Sequence, residues 1–353
     1  MNAPLLTVQD VTKHFPVRRG VLRRVSGAVQ AVTDISFKLD QGETLAVVGE
    51  SGCGKSTAGR TILRLQEPTS GKVLLNGRDI FALSPADLRA ARRDMQMIFQ
   101  DPFGSLNPRM TVREVIAEPL RLHGLASGRA LDRRIDEVLT MAGLSSWHAG
   151  RYPHEFSGGQ RQRVGIARAL ATSPRLIVCD EPVSALDVSV QAQIVNLLQD
   201  LQAETGVAYI FISHDLAVVR HIATRVAVMY LGRIIENADA ARLFANPRHP
   251  YTRSLIAAAP SPVPTGRASH VPLKGETASA MAPPPGCAFH PRCPFAQDRC
   301  RTERPELRPA GNDLVACHFA DSLPPMPSKP AGADSPALAR RLRVLADARK
   351  ETA

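Results

Sequence analysis

"TLAVVGESGCGKST", residues 44 to 57, joins an apolar run of strand length to a glycine-rich loop. The loop fits the pattern G-x-x-x-x-G-K-[ST], with Lys55 and Ser56 at its end. Glycines at such spacing let the backbone N–H groups turn toward phosphate oxygens. The helix that should follow offers its positive N-terminus to the same anions. The sequence therefore predicts a phosphate-binding loop between a buried strand and a helix.

Each residue type in this loop suits nucleotide chemistry. The Lys55 ammonium is expected to reach the β and γ phosphates, and the Ser56 hydroxyl is expected to ligate Mg²⁺. Cys53 is expected to be a small buried filler whose backbone contributes to the loop. The residues predicted to bind the nucleotide here are Gly49, Ser51, Gly52, Cys53, Gly54, Lys55, Ser56 and Thr57.

A second apolar strand, "RLIVCDE" at 175–181, ends in two acidic residues. Carboxylates at the exit of a buried strand are costly unless a site needs them. We expect Asp180 to hold Mg²⁺ through water and Glu181 to polarise the attacking water as general base. His214, at the end of "YIFIS", suits a γ-phosphate contact. Gln100, at the end of "MQMIFQ", suits contact with Mg²⁺ or with the attacking water.

A second helix N-terminus is suited to phosphate. "FSGGQRQRVGIARAL" begins at Phe156, and its Ser-Gly-Gly opening precedes a strong helical pattern. One nucleotide does not need two such cradles in one subunit, so we expect this one to serve a nucleotide held by a facing subunit. Its candidate residues are Ser157, Gly158, Gly159 and Gln160.

Strands alternate with helical patterns over most of the chain, which predicts an α/β fold with a largely parallel sheet. Short strand patterns come first, interrupted at residues 17–28 by a predicted loop. Helical patterns follow between 85 and 145, at 161–171, at 188–204 and near 215–222. After about residue 246 the chain becomes rich in proline, and a flexible linker is predicted at 323–336.

Composition restricts the class of protein. The chain has 353 residues, is 44% hydrophobic and carries a net charge of +11. It shows no signal-peptide pattern, and its longest apolar runs have strand length, so we expect a soluble cytosolic chain. The basic residues are not interleaved with aromatic ones, so a nucleic-acid partner is not expected.

With its motifs in this order, the chain resembles ATP-binding cassette (ABC) ATPases over residues 5 to 240. The motifs are the phosphate loop at 49–57, the glutamine at 100, "SGGQ" at 157–160, the acidic strand at 176–181, "SALD" at 184–187 and the histidine at 214. The resemblance implies a RecA-like parallel sheet core, an antiparallel β subdomain and an α-helical signature subdomain. A cysteine-containing irregular extension would follow at the C-terminus.

The resemblance also implies an assembly and further site residues. In this family two cassettes pack head to tail and enclose two ATP molecules, each between one phosphate loop and the other subunit's signature. Asp187 would then join the signature residues at the partner's ATP. Phe15 would stack on adenine, although an aromatic residue at this position also suits the core.

Longer segments of the sequence are similar to those of the ATPase subunits of oligopeptide and dipeptide importers. "NPRHPYTRSLIAAAP" at 246–260 and "GCAFHPRCPFAQDRC" at 286–300 carry this resemblance, and "GVLRRVSGAVQAV" at 20–32 is closer to the F-type subunit. The implied partners are a second ABC ATPase (a paralogue or an identical chain), two membrane permease subunits that would contact residues 103–110, and an extracytoplasmic binding protein. The chain would be peripheral, on the cytoplasmic face of the inner membrane.

The resemblance divides the chain into an ATPase domain at 5–245, a C-terminal region at 246–320, and a linker and tail at 321–353. Peptides are the implied substrates, with nickel, glutathione or another small solute as alternatives. A non-transport ABC ATPase acting on DNA or ribosomes, an exporter ATPase and a regulatory module without turnover are less well matched. The complete set of catalytic residues opposes the last of these.

Four cysteines with the spacing C-x5-C-x6-C-x16-C lie near the C-terminal end. They are Cys287, Cys293, Cys300 and Cys317. The spacing lacks the paired C-x2-C of common zinc sites, and four thiolates are the usual ligands of an iron–sulfur cluster. A zinc site that uses His290 or His318, and a set of buried thiols, remain alternatives. The family resemblance implies that the cofactors are ATP, Mg²⁺ and, at these cysteines, a [4Fe–4S] cluster.

Overall fold

The computed structural model describes residues 3–19, 24–258 and 278–324, which form two compact units. Among these residues the first unit contains the chain up to Lys13, Asp34–Ala46 and Ser56–Ser213. The second contains His14–Thr33, Val47–Lys55 and the chain from His214 onward. The predicted linker and tail from residue 325 onward lie outside the described residues.

The described part of the chain alternates strands and helices, as the sequence predicts. The strands are β1 (Leu6–Arg19), β2 (Arg24–Leu39), β3 (Thr44–Val48), β4 (Ser70–Leu75), β5 (Arg78–Asp79), β6 (Met95–Ile98), β7 (Leu176–Asp180), β8 (Ala208–Ser213), β9 (Arg225–Tyr230), β10 (Arg233–Asp239), β11 (Arg308–Ala310) and β12 (Asp313–Val315). The helices are α1 (Lys55–Ile62), α2 (Pro85–Ala91), α3 (Pro102–Ser105), α4 (Val112–Leu122), α5 (Gly128–Met141), α6 (Gly158–Leu170), α7 (Val188–Thr205), α8 (Leu216–Ile222), α9 (Ala240–Ala245), α10 (Pro250–Ala258) and α11 (Asp298–Thr302).

The first unit contains a parallel ladder of β6, β7 and β8. Met95 pairs with Leu176, which in turn pairs with Ala208. Every residue of β7 and β8 is buried, as expected for parallel strands that are covered on both faces. Helix α1 lies close to this ladder because Gly59 has no side chain: a Cβ atom there would lie 2.9 Å from a methyl group of Val178.

An antiparallel ladder of β1, β4 and β5 also belongs to the first unit. Leu6 pairs with Leu75 and Gln9 pairs with Lys72, and β5 pairs with the end of β4. Gly71 has a φ of +97°, and a Cβ atom there would lie 2.6 Å from the Cα atom of Val11 on strand β1. This close approach of two backbones requires glycine.

Helices α4, α5 and α6 contact one another in the same unit. Helix α4 begins with a capping box, in which the Glu114 N–H donates to Thr111 Oγ1 and the Thr111 N–H donates to Glu114 Oε2. Its apolar face is buried through Val115, Ile116 and Leu120. Packing of this face, rather than helix propensity, supplies most of the stability of such a helix.

The second unit contains an antiparallel ladder in which β10 lies between β9 and β12, and β11 pairs with β12. Glu236 pairs with Val315, and Val315 packs with Ala310 and Ala320 in a small apolar cluster. The proline-rich region from residue 246 onward therefore includes short regular elements as well as turns.

The predicted loop at 17–28 is shorter than the sequence pattern indicates. Strand β1 continues to Arg19 and β2 begins at Arg24, and the Ser26 hydroxyl donates to the Val17 carbonyl at 3.2 Å. Strands β1 and β2 are hydrogen-bonded neighbours, which gives partners to backbone groups that a loop would leave to water. Residues 20–23 lie outside the described part. Among the described helices, none has the length and apolar character needed to span a membrane.

Candidate nucleotide site

Two glycines of the phosphate loop, Gly49 and Gly54, are required by close backbone contacts in the second unit. Gly52 and Gly54 have φ values of +77° and +106°. A Cβ atom at Gly54 would overlap the carbonyl oxygen of Ala31, and one at Gly49 would overlap the carbonyl oxygen of Met229. The loop therefore lies against two carbonyls that belong to regular strands and have little freedom to move.

Lys55 is held inside the curve of this loop. Its side chain is buried, and its ammonium group donates to the carbonyl oxygens of Gly49 at 2.9 Å and of Glu50 at 3.0 Å. Cys53 is also buried, and burial raises the pKa of its thiol, which agrees with its predicted role as a neutral filler. An ammonium group fixed among backbone dipoles is suited to a phosphate anion.

Asp180 and Ser56, which the sequence assigns to one Mg²⁺ ion, are in contact in the first unit. Asp180 ends β7 with its side chain fully buried, and the Ser56 hydroxyl donates to its Oδ1 atom at 2.6 Å. Arg60 donates to the other carboxylate oxygen at 3.4 Å, so both oxygens of this buried charge have partners. Hydroxyl and carboxylate oxygens are ligands that Mg²⁺ prefers. Arg60 was not predicted, although it lies one helical turn after Ser56.

Gln100 and Glu181 also meet in the first unit. The Gln100 side-chain amide donates to Glu181 Oε2 at 3.0 Å. The two residues follow β6 and β7, which are parallel neighbours, so their carboxyl ends lie at the same edge of the ladder. Glu181 has a φ of 45°, a conformation that costs about 1–2 kcal/mol for a residue other than glycine. Its N–H donates to the Ile212 carbonyl at 3.0 Å, which holds the residue in place.

Other predicted nucleotide-binding residues occupy exposed or half-buried positions. Ser51 and Gly52 are exposed, and Thr57 is half-buried in the first turn of α1. Phe15 is half-buried on β1, and His214 is exposed directly after β8. Both belong to the second unit. The adenine contact of Phe15 and the γ-phosphate contact of His214 stay predictions.

The predicted signature residues form the capped start of α6. The Gln160 N–H donates to the Ser157 hydroxyl at 3.4 Å, and the Ser157 N–H donates to the Gln160 side-chain oxygen at 3.1 Å. A Cβ atom at Gly159 would lie 2.5 Å from a methyl group of Val190 on α7, and one at Gly158 would lie 3.4 Å from Leu186. Ser157 itself is exposed, so this helix start is accessible to an anion outside the unit.

Asp187 caps α7 in the same unit. Its carboxylate accepts the Ser189 hydroxyl at 2.6 Å and the Val190 N–H at 3.0 Å. The hydrogen bond from the Ser189 side chain, followed by the one from the Val190 backbone, lowers the pKa of this carboxyl group. Asp187 is exposed and is an ionised N-cap that remains accessible to another subunit.

The four predicted cysteines line one pocket in the second unit. Its lining includes Cys287, Cys293, Cys300, Cys317, His249 and Phe289. Burial raises the pKa of Cys287 to about 11 and that of Cys293 to about 12. Within the described ranges, no three His, Cys, Asp or Glu side chains form a ready-made metal-binding group. The thiols would therefore have to turn toward a common centre to hold a metal.

Comparisons with known proteins define the class of protein to which this chain belongs. The ABC transporter family matches residues 32–184, and the C-terminal region of oligopeptide/dipeptide transporters matches residues 235–300. The dimeric structure of the ATP-binding cassette MJ0796 bound to ADP and Pi aligns with a TM-score of 0.59 at 32% identity, covering 67% of this chain and 98% of that one. The fold is that of an ABC ATPase, an enzyme that hydrolyses ATP.

Two curated relatives are similar over nearly their whole length. The oligopeptide transport ATP-binding protein AppF of Bacillus subtilis is 52% identical, over 89% of this chain and 97% of the relative. The di/tripeptide transport ATP-binding protein DppF of Pseudomonas aeruginosa is 48% identical, over 90% and 98%. This chain belongs to the family of peptide ABC transporter ATP-binding proteins.

Proposed function

We propose that this chain is the energy-coupling ATPase of a membrane importer for di- and oligopeptides. The observation that carries the proposal is the match of residues 235–300 to the C-terminal region of oligopeptide/dipeptide transporters, in the same chain as an ABC ATPase. We assign residues 5–245 to the ATPase domain, 246–320 to this C-terminal region and 321–353 to a linker and tail.

The proposed chemistry follows from the contacts within each unit. Lys55 binds the β and γ phosphates. Ser56 would hold Mg²⁺ directly and Asp180 would hold it through water, and the bound ion would neutralise charge on the phosphates. Glu181 orients and deprotonates the attacking water, and its 3.0 Å hydrogen bond from Gln100 fixes the carboxylate. Gln100 is in addition a candidate Mg²⁺ ligand. His214 contacts the γ phosphate.

A second ATPase subunit completes the proposed site. Ser157, Gly158, Gly159, Gln160 and Asp187 would contact the nucleotide of that subunit. Accessible helix starts at α6 and α7 support this role, because they offer positive dipole ends toward a partner. The similar MJ0796 cassette was solved as a dimer. The partner is a paralogous ATPase or a second copy of this chain.

The proposed complex also contains two permease subunits and an extracytoplasmic binding protein, with this chain peripheral at the cytoplasmic face of the inner membrane. Residues 103–110 would contact the permease. One contact supports a mechanical role for this segment: Arg168 of α6 donates to the Ser105 carbonyl at 2.6 Å. The helix that begins at the signature is thereby attached to the segment that would meet the membrane subunit.

Uptake by cells that lack this chain tests the substrate class. We expect uptake of a labelled dipeptide and tripeptide to be lost, and to be restored by the wild-type chain but not by Glu181→Gln at equal expression. Labelled nickel and labelled glutathione are measured in the same cells. Loss of nickel or glutathione uptake, with peptide uptake unchanged, would reject peptides and select the alternative solute.

We also propose that the four-cysteine pocket holds a [4Fe–4S] cluster. Four thiolates are the usual ligand set of such a cluster, and Cys287, Cys293, Cys300 and Cys317 line one pocket. Because burial raises their pKa values, the Cys287 and Cys293 thiols lose their protons only when a cation compensates the thiolate charge.

Metal analysis after anaerobic purification tests this proposal. About four irons and four labile sulfides per chain are expected, with loss of both in Cys293→Ser. Cys179→Ser is the matched control, because Cys179 is fully buried in β7 of the other unit. Stoichiometric zinc without iron would reject the cluster in favour of a zinc site, and absence of both metals would leave buried thiols.

A further inference from the structure

The phosphate loop contains an acidic residue, Glu50, beside the groups that would bind phosphate. Arg292, which follows it by 242 residues, donates two hydrogen bonds to its carboxylate, at 2.9 Å and 2.8 Å. The Arg292 side chain is 7% exposed and that of Glu50 is 23% exposed. Arg292 belongs to residues 287–300, here termed the cysteine segment. A bidentate and largely buried ion pair thus joins the cysteine segment to the phosphate loop.

A second contact holds the backbone of the same loop residue. The Glu50 N–H donates to the Tyr251 hydroxyl at 2.8 Å. The Tyr251 ring is fully buried, and its centroid lies 5.4 Å from that of Phe289 in an edge-on arrangement. Phe289 is part of the cysteine segment and also lines the cysteine pocket. Both the side chain and the backbone of Glu50 are therefore held by this part of the second unit.

Electrostatics makes the ion pair important for nucleotide binding. A carboxylate beside a phosphate-binding loop repels the phosphate anions unless a cation neutralises it. An arginine guanidinium stays protonated in proteins, so the cation that donates to the Glu50 carboxylate is permanent. Removal of Arg292 alone would take the bidentate cation away from a partly buried negative charge, which is the costly way to break such a pair.

We propose that Arg292 is a positioning residue for the phosphate loop, which neutralises Glu50 and holds the loop's first turn in the conformation that accepts nucleotide phosphates. Arg292 acts through Glu50 and does not itself contact the nucleotide. The cysteine segment is thereby part of the structure that determines nucleotide affinity. This inference rests on the proposed ATPase function and adds to it a residue that lies outside the ATPase motifs.

Equilibrium binding of ATP in the presence of EDTA, with KM and kcat measured separately with Mg²⁺, tests the inference. We expect Arg292→Met to weaken ATP binding by about tenfold and to raise KM more than it lowers kcat. Arg299→Met is the matched control. It removes a second bidentate Arg–Glu pair, between Arg299 of the cysteine segment and Glu303. This pair makes no contact with the loop.

The double variant Glu50→Gln/Arg292→Met separates charge neutralisation from general damage. It should recover most of the lost affinity, because the carboxylate that Arg292 neutralises is gone as well. Unchanged affinity in Arg292→Met, or an equal loss in Arg299→Met, would overturn the inference, and so would a double variant as weak as the single one. If Arg292→Met does not fold, Arg292→Gln, which is also neutral, replaces it, and wild-type affinity in that variant would be the contrary result. A wild-type chain that does not bind ATP would overturn the proposed function as well.

Discussion

His249 makes the stability of the second unit sensitive to acid. The residue is 1% exposed, and its backbone N–H donates to the Glu236 carboxylate. On the imidazole ring, Nδ1 accepts the Tyr251 backbone N–H at 3.0 Å. Burial lowers the pKa of the imidazole to about 3. The folded chain therefore keeps His249 neutral, whereas the unfolded chain protonates it near its ordinary pKa of about 6.5.

The size of the effect follows from this difference. A lowered folded-state pKa contributes stability that is fully present above about pH 6.5 and is lost as the pH falls toward the folded-state value. Between pH 7 and pH 5 the loss from His249 is about 2 kcal/mol. In the metal-free chain the Cys287 and Cys293 thiols stay protonated throughout this range because their pKa values are raised. The raised pKa of buried Glu236 acts in the opposite direction, so the net loss of the wild type is smaller.

Urea unfolding at pH 7 and pH 5, at one state of metal loading, measures this change. His249→Asn keeps an acceptor near the Nδ1 position but does not titrate, so the difference between wild type and variant isolates His249. We expect the wild type to lose about 2 kcal/mol more than the variant between the two pH values. His154→Gln, at an exposed histidine, should behave as the wild type. An equal loss of stability in wild type and His249→Asn would exclude His249 as the source of the acid sensitivity.

Four further substitutions test the site and its proposed coupling to transport. Glu181→Gln keeps a partner for Gln100 but removes the base, so ATP turnover should fall by about a hundredfold or more with ATP binding retained; turnover at the wild-type rate would exclude Glu181 as the base. Gly54→Ala should abolish ATP binding, because its Cβ would overlap the carbonyl of Ala31. Gly52→Ala meets open space and should cost only about 1–2 kcal/mol of left-handed strain in thermal unfolding; equal effects of the two would contradict this account. Arg168→Met should leave ATP hydrolysis intact and lower peptide uptake, measured as uptake per ATP hydrolysed, and an unchanged ratio would be the contrary result.

The local parts of the site follow from the sequence. The glycine spacing before Lys55 predicts the loop, and acidic residues at the end of an apolar run predict the position of Asp180 and Glu181. Parallel pairing of β6 with β7 then brings Gln100 to Glu181. The loop and the position of the acidic residues can be predicted because each depends on a short pattern, whereas the contact of Gln100 with Glu181 follows from the pairing of the strands.

The remaining parts depend on contacts between distant segments. The Arg292–Glu50 pair and the Tyr251 hydrogen bond join residues more than 200 positions apart, and nothing in either local pattern indicates its partner. Residues 17–28 look like a loop on their own, yet the strands extend into them because each strand supplies hydrogen-bonding partners to the other. Pairing of this kind is a property of the folded chain rather than of a window of sequence.

The distance in sequence between Glu50 and Arg292 has a consequence for biosynthesis. Synthesis proceeds at about 5–20 residues per second, so the 242 residues between them take about 12 to 50 seconds to be added. During this interval the phosphate loop is already present on the nascent chain, while its arginine has not been made. On this account the high-affinity nucleotide site belongs only to chains that the ribosome has translated through the cysteine segment, and a prematurely terminated chain would compete poorly for cellular ATP.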